Sequence, residues 1–573
     1  MTNQCNHAAA ANDINGMPPT DSTQAADCHT VATAFAAAAE WWPERPFLAV
    51  LPETAAIYGI AAGELTYREA SQRIDALRRD YAREGYGRGH RIGLLLDNRP
   101  AFFLHWFALN GLGASVVPIN ADLRSAELEY LIDHSEIALA VASPQRHAAL
   151  EAAARAMGRD LAVMADGDAP PPARHRAPDI SVLAGQTDSA GAEMDECALL
   201  YTSGTTGRPK GCVLPNRYFL HSGRWYAGIG GMATLRRGEE RMLTPLPLVH
   251  MNAMAYSAMA MVLTGGCLIV LDRFHPGTWW DSVRRAQATV VHYLGVMPAM
   301  LMKAPAQDDD AQHAVRFGFG AGVDKALQAS FEARFGFPLL EAWAMTETGA
   351  GAVVIANDDP RSVGSSCFGK EGADVEVRLV ADDGRDAASG QTGELWVRHA
   401  GADPRYGFFS HYLKDPDATD QAWEQGWFHT GDIVSRDEEG LLHFVDRRKN
   451  VIRRSGENIS AVEVEGVLNQ LPEVKASAVA ATPDPVRGDE VLACVVTHQP
   501  VLADERAALA ARIVQHALER LAYYKAPGYV AFVEALPLTA SQKIQRGELK
   551  AMAQTLPGQA HCTDTRALKK RIA

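Results

Sequence analysis

Tyr201-Thr202-Ser203-Gly204-Thr205-Thr206-Gly207-Arg208-Pro209-Lys210-Gly211 continues the apolar run Ala198-Leu199-Leu200. The run reads as a strand, and Ser203–Gly211 as the loop that leaves it, with three glycines, three hydroxyls and a lysine. Glycines let successive backbone N–H groups turn toward an anion, hydroxyls add donors, and Lys210 adds charge. Polyphosphate is the natural ligand of such a loop. Walker A spacing is not met, because Pro209 stands where its second glycine belongs. A P-loop kinase is thereby disfavoured.

Outward from this loop, helical patterns alternate with short apolar runs. Before it come Ile92–Leu96, the helix-like AFFLHWFALNGLG, Ser115–Ile119 and Ile137–Ala142; after it come Cys267–Leu271, Thr289–Leu294 and Val315–Gly320. That rhythm predicts βαβ units and parallel sheets. Met251–Leu271 is uncharged and long, but Gly265-Gly266 divides it, so it reads as a buried helix followed by a strand. From about 373 to 446, short strands with turn signals predict a small antiparallel β unit. A compact α+β domain is expected from about Asn450 onward.

With 573 residues and 47% hydrophobic content the chain can bury several cores. A formal charge of −14 disfavours nucleic acid as the main partner. The eight cysteines are scattered without CxxC or Cys/His spacing, which suggests neither a zinc site nor a disulfide framework and fits reduced thiols in the cytoplasm. Residues 1–30 are polar and Ala-rich, without Lys or Arg, and are expected to be a disordered leader with no export signal. The basic end RALKKRIA reads as a solvated tail.

The chain resembles the adenylate-forming superfamily, in particular its acyl-CoA synthetases, from about Val31 to Lys550. The resemblance is carried by YTSGTTGRPKG (201–211), PLPLVH (245–250), AWAMTETG (342–349), GELWVR (393–398), GWFHTGD (426–432), VDRRKNVIRRSGENIS (445–460) and LTASQKIQRGELK (538–550). It implies an α/β fold: a large N-terminal domain (31–448) of two parallel-type sheets plus a small β-barrel unit. A small mobile α+β C-terminal domain (449–573) follows, with its hinge at Lys449.

The implied reaction is that of an AMP-forming carboxylate–CoA ligase. A carboxylate and ATP give an acyl-adenylate and pyrophosphate, and coenzyme A then displaces AMP. ATP, Mg²⁺ and coenzyme A are the implied cofactors and co-substrates. By the resemblance, Thr202, Ser203, Gly204, Thr205, Thr206 and Lys210 cradle the phosphates, Thr346 bonds the α-phosphate, and Glu347 holds Mg²⁺. Asp432 and Arg447 take the ribose, Trp343 stands where the family commonly has Tyr and stacks on adenine, and Ala321 and Gly322 pass beside the base. Lys543 reaches the reacting carboxylate and α-phosphate, although Gln542 precedes it where glycine is common. His250 gates the carboxylate and thiol channel, and Ser455, Gly456 and Glu457 meet the pantetheine arm after the hinge turns.

The segment MNAMAYSAMA after PLPLVH has no acidic residue, which disfavours an α-amino acid. DNRPAFFLHWFALNGLGASVVPIN and FVDRRKNVIRRSGENIS look most like the carnitine/crotonobetaine-CoA ligase branch. A small polar acid is therefore expected, held by aromatics among Tyr218–Tyr226 if cationic, or by Arg224 and His221 if it carries a second anion such as a sulfonate. An aromatic or medium-chain acid is the alternative substrate, and a non-catalytic nucleotide or acyl-adenylate binder is the alternative of another class. The expected partners are small molecules, with neither nucleic acid nor a membrane span; a homodimer is a permitted assembly.

Overall fold

The computed structural model describes residues 28–569 apart from 122, 124, 176–188, 203–208, 382, 448–451, 455–456, 485–487, 522 and 539–542. Its first sheet runs in spatial order through His411–Tyr412, Lys210–Pro215, Glu196–Thr202, Ser115–Pro118, Arg91–Leu95, Leu139–Ala142 and Ala162–Met164. The last five strands are parallel, and the first two pair antiparallel. The second sheet runs Val354–Ile355, Leu339–Trp343, Phe317–Ala321, Val290–Leu294, Arg241–Thr244, Cys267–Val270, Pro46–Val50 and Gly63–Thr66, parallel except at its two ends. The β runs predicted on both sides of the phosphate loop are all strands here, shifted by at most two residues.

A layer of helices shares one core with both sheets. Pro100–Asn110 is helical because Pro100 sits at its first turn, where the missing N–H costs nothing, and it buries every residue from Phe102 to Asn110. Asn216–Gly228 crosses Met259–Thr264 closely at Gly223, where a Cβ would stand 2.7 Å from that of Met259. Between Met251 and that second helix, Asn252–Ala258 is π-helical. The i→i+5 pitch brings Asn252 and Ser257 onto one line, and both face Nδ1 of His292, at 2.8 and 3.0 Å. Tyr226 lies 3.2 Å from the ring's other nitrogen.

Three expectations need correction. Residues 28–30, expected within the leader, are structured: Cys28 is buried, its carbonyl accepts from Arg224, and Thr30 caps the helix Val31–Trp41. The β unit at 375–447 is a four-stranded antiparallel sheet whose end strands, Val375–Val380 and Leu442–Arg447, do not pair with each other, so it is an open sheet and not a barrel. The basic tail is not solvated at Lys569, whose ammonium is buried against Glu490, 2.5 Å away. Glu490 also takes the Arg454 guanidinium, so one buried carboxylate satisfies two buried cations.

The C-terminal domain is an α+β unit on strands Glu457–Ile459, Ile452–Arg454, Gly488–Thr497, Tyr529–Phe532 and Cys562–Asp564, with Val474–Asp484 pairing the third of these. It touches the first domain through Ser460, which donates to the Val445 carbonyl, and through Glu463 opposite Lys325.

Candidate active site

The strand Glu196–Thr202 delivers the phosphate loop, and Lys210 pairs with Thr202 where the chain returns. Ser203, Gly204, Thr205 and Thr206 lie outside the described residues. Lys210 stands over the ring of Tyr412, 4.7 Å from its centroid, and the Tyr412 hydroxyl donates to Glu347 at 2.9 Å. One tyrosine thus joins Lys210 to the buried carboxylate. Burial first and Glu347 second raise the Tyr412 pKa, which keeps it a donor.

The strand Leu339–Trp343 runs into the turn that carries Thr346 and Glu347. Thr348 Oγ1 accepts from Met345 N, Tyr218 donates to the Thr346 carbonyl at 2.9 Å, and Tyr256 donates to the Gly349 carbonyl at 3.0 Å. The turn is therefore held from below by two tyrosines of the helical layer. Glu347 is a buried, hard oxygen donor, and no cluster of three or more potential metal ligands exists among the described residues. A single carboxylate suits Mg²⁺, which keeps waters and takes its other ligands from phosphates.

Asp432 and Arg447 are directly opposite on adjacent antiparallel strands. Oδ2 of Asp432 accepts from the Trp343 indole at 2.9 Å. Arg447 Nε comes within 2.9 Å of Oδ1 but off the line of its N–H, so this buried oxygen has no aligned donor. Burial raises the Asp432 pKa, and Arg447 and the indole oppose that.

Ala321 ends its strand, and Gly322 follows at φ +81°, both exposed. Glu341, absent from the sequence-based expectations, holds this segment: its buried carboxylate accepts from Gly322 N at 2.7 Å, from Val323 N at 3.2 Å and from the Tyr293 hydroxyl at 2.5 Å. Burial pushes Glu341 up to about 7 from 4.5, with those three donors opposing the shift. The folded state thus keeps a proton that the unfolded chain releases. The resulting stabilisation is fully present below pH 4.5 and lost as pH rises through about 7. Relative to Glu341→Gln, wild-type stability is expected to fall by about 3 kcal/mol across that window. Chemical unfolding at pH 4.5 and pH 8 checks this, and parallel pH curves for the two proteins would refute it.

Lys543 and His250 come from different domains and meet here. Both keep solvent access. Desolvation first and the Lys543 charge second push His250 down to about 4, so its imidazole is neutral near pH 7. Lys543 itself is lowered by desolvation and by Arg447. Arg447, Lys543 and His250 therefore surround one cleft, between Asp432 and the turn of Thr346. Lys449, Ser455 and Gly456 lie outside the described residues; Glu457 is placed by its backbone alone, in the strand Glu457–Ile459.

The helix Asn216–Gly228 separates the two anticipated acid-binding sets. His221 Nε2 lies 3.1 Å from the Ala350 carbonyl, and Arg224 donates to the Cys28 carbonyl. Trp225 instead packs near Tyr256 and Phe319, with ring centroids 5.5 and 6.4 Å away. Phe319 is two residues before Ala321 on the same strand, and Tyr256 donates to the Gly349 carbonyl, so this largely buried aromatic cluster is connected to both segments.

The model of the AMP-binding enzyme family matches residues 36–406, and that of the AMP-binding enzyme C-terminal domain matches 463–543. Crotonobetaine/carnitine–CoA ligase of Salmonella typhi is 30% identical over 509 residues, covering 87% of this chain and 96% of that one. The protein of the same name from Shigella flexneri is 29% identical over 500 residues, covering 86% and 94%. Among solved structures, an anthranilate CoA ligase in complex with anthranoyl-AMP superposes with a TM-score of 0.76 at 22% identity, over 93% of this chain and all of the other. An o-succinylbenzoate CoA synthetase from Bacillus subtilis, in complex with ATP and magnesium, gives 0.72 at 23% identity over 90% and 98%. At these identities the structures establish the fold.

Proposed function

Because this chain belongs to the AMP-binding enzyme family and is an AMP-forming acid–CoA ligase, we propose that its acid is a small polar carboxylate carrying a quaternary ammonium, as in the carnitine type. The observation that carries the reading is the aromatic cluster of Trp225, Tyr256 and Phe319, joined to the strand that ends at Ala321 and to the Gly349 carbonyl, with His221 and Arg224 directed to backbone carbonyls. A ring face attracts a desolvated cation, whereas a sulfonate or second carboxylate would need the guanidinium and imidazole that this helix directs to backbone carbonyls.

In the first half-reaction an oxygen of the acid attacks the α-phosphorus of ATP and pyrophosphate leaves. Lys543 offsets the charge shared by the attacking carboxylate and the α-phosphate, and the Thr346 hydroxyl donates to the latter. Asp432 and Arg447 hold the ribose, Ala321 and Gly322 border the base, and Lys210 with its loop takes the outer phosphates. Glu347 would hold Mg²⁺, which supplies neutralising charge to the phosphate oxygens. In the second half-reaction the sulfur of coenzyme A attacks the acyl carbonyl and AMP leaves. Rotation at Lys449 withdraws Lys543 and brings Ser455, Gly456 and Glu457 to the thiol. His250 is neutral, so it borders the channel without adding a cation beside Lys543. We place the reaction in the cytoplasm; among the described residues no helix is long and apolar enough to cross a membrane.

The test is pyrophosphate release with Mg-ATP and coenzyme A across cationic, sulfonated, dicarboxylic, aromatic and plain short-chain acids. Cationic acids are expected to give the highest kcat/KM, and Trp225→Ala to raise their KM by about tenfold while leaving the ATP KM unchanged. Preference for sulfonates or aromatic acids would refute the assignment of the acid but not of the reaction. Nucleotide binding without turnover of any acid would favour the non-catalytic binder.

A further inference from the structure

The indole of Trp343 spends its single donor on Asp432. The ring is buried at 6% exposure, and Asp432 at 2%. Its Nε1 reaches Oδ2 at 2.9 Å, while Oδ1 lacks an aligned donor even with Arg447 alongside. The backbone fixes the carboxylate's base as well: Asp432 N donates to Thr430 Oγ1, which in turn donates to the Leu395 carbonyl, and Gly431 N donates to Glu394. What the main chain cannot fix is rotation about the side chain's own bonds. The indole N–H does that.

We propose that Trp343 is a positioning residue for nucleotide binding, which locks the Asp432 carboxylate through Oδ2 so that Oδ1 is presented to a vicinal diol. The inference rests on the reading of Asp432 as the ribose ligand. Each carboxylate oxygen can accept two hydrogen bonds, so Oδ2 keeps capacity for one ribose hydroxyl while Oδ1 takes the other. Phenylalanine would keep a ring beside adenine and lose the donor. The carboxylate would then turn toward Arg447, and the diol would have to displace a better-aligned ion pair. The other charges facing Asp432 are Asp446 on the strand of Arg447 and Glu347 after the strand of Trp343. Both disfavour its charged form, so loss of the indole donor should also move the acid limb of ATP binding to higher pH.

Calorimetric binding needs no acid substrate, and two ligands separate the possible roles. Trp343→Phe is expected to weaken ATP binding about tenfold more than it weakens 2′,3′-dideoxy-ATP binding, the excess being the loss of one hydrogen bond to a charged group. The acid limb for ATP should shift upward in the variant. Equal losses for both nucleotides would make Trp343 a stacking or packing residue only and overturn the proposal, as would an unchanged ATP affinity. A wild-type protein that binds ATP and the dideoxy nucleotide equally would instead overturn Asp432 as the ribose ligand. Trp343→Met, which fills the space with an apolar side chain and carries no N–H or O–H donor, should show the same excess loss for ATP over the dideoxy nucleotide if the phenylalanine variant unfolds.

Discussion

Lys543→Ala is expected to lower carboxylate-dependent pyrophosphate release by about 10²–10³-fold, the usual cost of losing one preorganised charge at a developing transition state. Thioester formation from preformed acyl-adenylate should stay within about threefold. The asymmetry follows from where the ammonium sits. It is close enough to His250 and Arg447 to act on both electrostatically, so it reaches the cleft while its own domain is docked. The chain after it is fixed: Gln545 N donates to the Pro537 carbonyl, and Arg546 holds Glu465 through two bonds of 2.6 and 2.8 Å, both side chains largely buried. On the proposed reading, a lysine anchored this way approaches the acid and α-phosphate along one path, and the hinge turns before the thiol enters. Rapid-quench measurement of each half-reaction decides the matter, and equal losses in both would remove Lys543 from the adenylation step.

The strands and the order of the two domains could be read from the sequence because parallel strands buried on both faces are continuous apolar runs, and these runs are short and sharply bounded here. Motif residues were legible for a different reason: Glu347, Asp432 and Lys543 stand in the stretches AWAMTETG, GWFHTGD and LTASQKIQRGELK that carry the resemblance to the adenylate-forming superfamily. The supports of the site were not legible. Tyr412 lies 65 residues from the Glu347 it bonds, and Tyr218 lies 128 from the Thr346 carbonyl. Such contacts are set by sheet stacking and leave no local period. His221 and Arg224 were plausible acid ligands as residue types, but helix phase turns them toward the Ala350 and Cys28 carbonyls, and that phase depends on Gly223 packing under Met259. The tail failed similarly: KKR reads as solvated until a buried Glu490 supplies a partner for Lys569.

Gly295→Ala is expected to cut kcat/KM for ATP about 10²-fold, although residue 295 carries no functional group. Its backbone is ordinary, at φ −54°, so the constraint is space and not conformation. Gly295 N donates to the Ala321 carbonyl at 3.0 Å, and a Cβ on Gly295 would stand 1.6 Å from the Gly322 oxygen and 2.2 Å from its carbonyl carbon. Backbone cannot step aside as a flexible side chain would. The Ala321–Val323 segment would have to move, and with it the two N–H groups that Glu341 holds at 2.7 and 3.2 Å. Overpacking of this kind costs about 1–3 kcal/mol of stability, which thermal unfolding would register. The larger effect is expected on the nucleotide, because the displaced segment is the one we propose to border the base, and it ends the strand bearing Phe319. A matched Gly322→Ala variant separates the two causes: that position has no neighbour within 4 Å of a Cβ but holds φ +81°, so it adds strain without a collision. Its loss should be the smaller of the two. A Gly295→Ala enzyme with wild-type ATP affinity would mean that the segment does not touch the nucleotide, and the base would have to be placed elsewhere in the cleft.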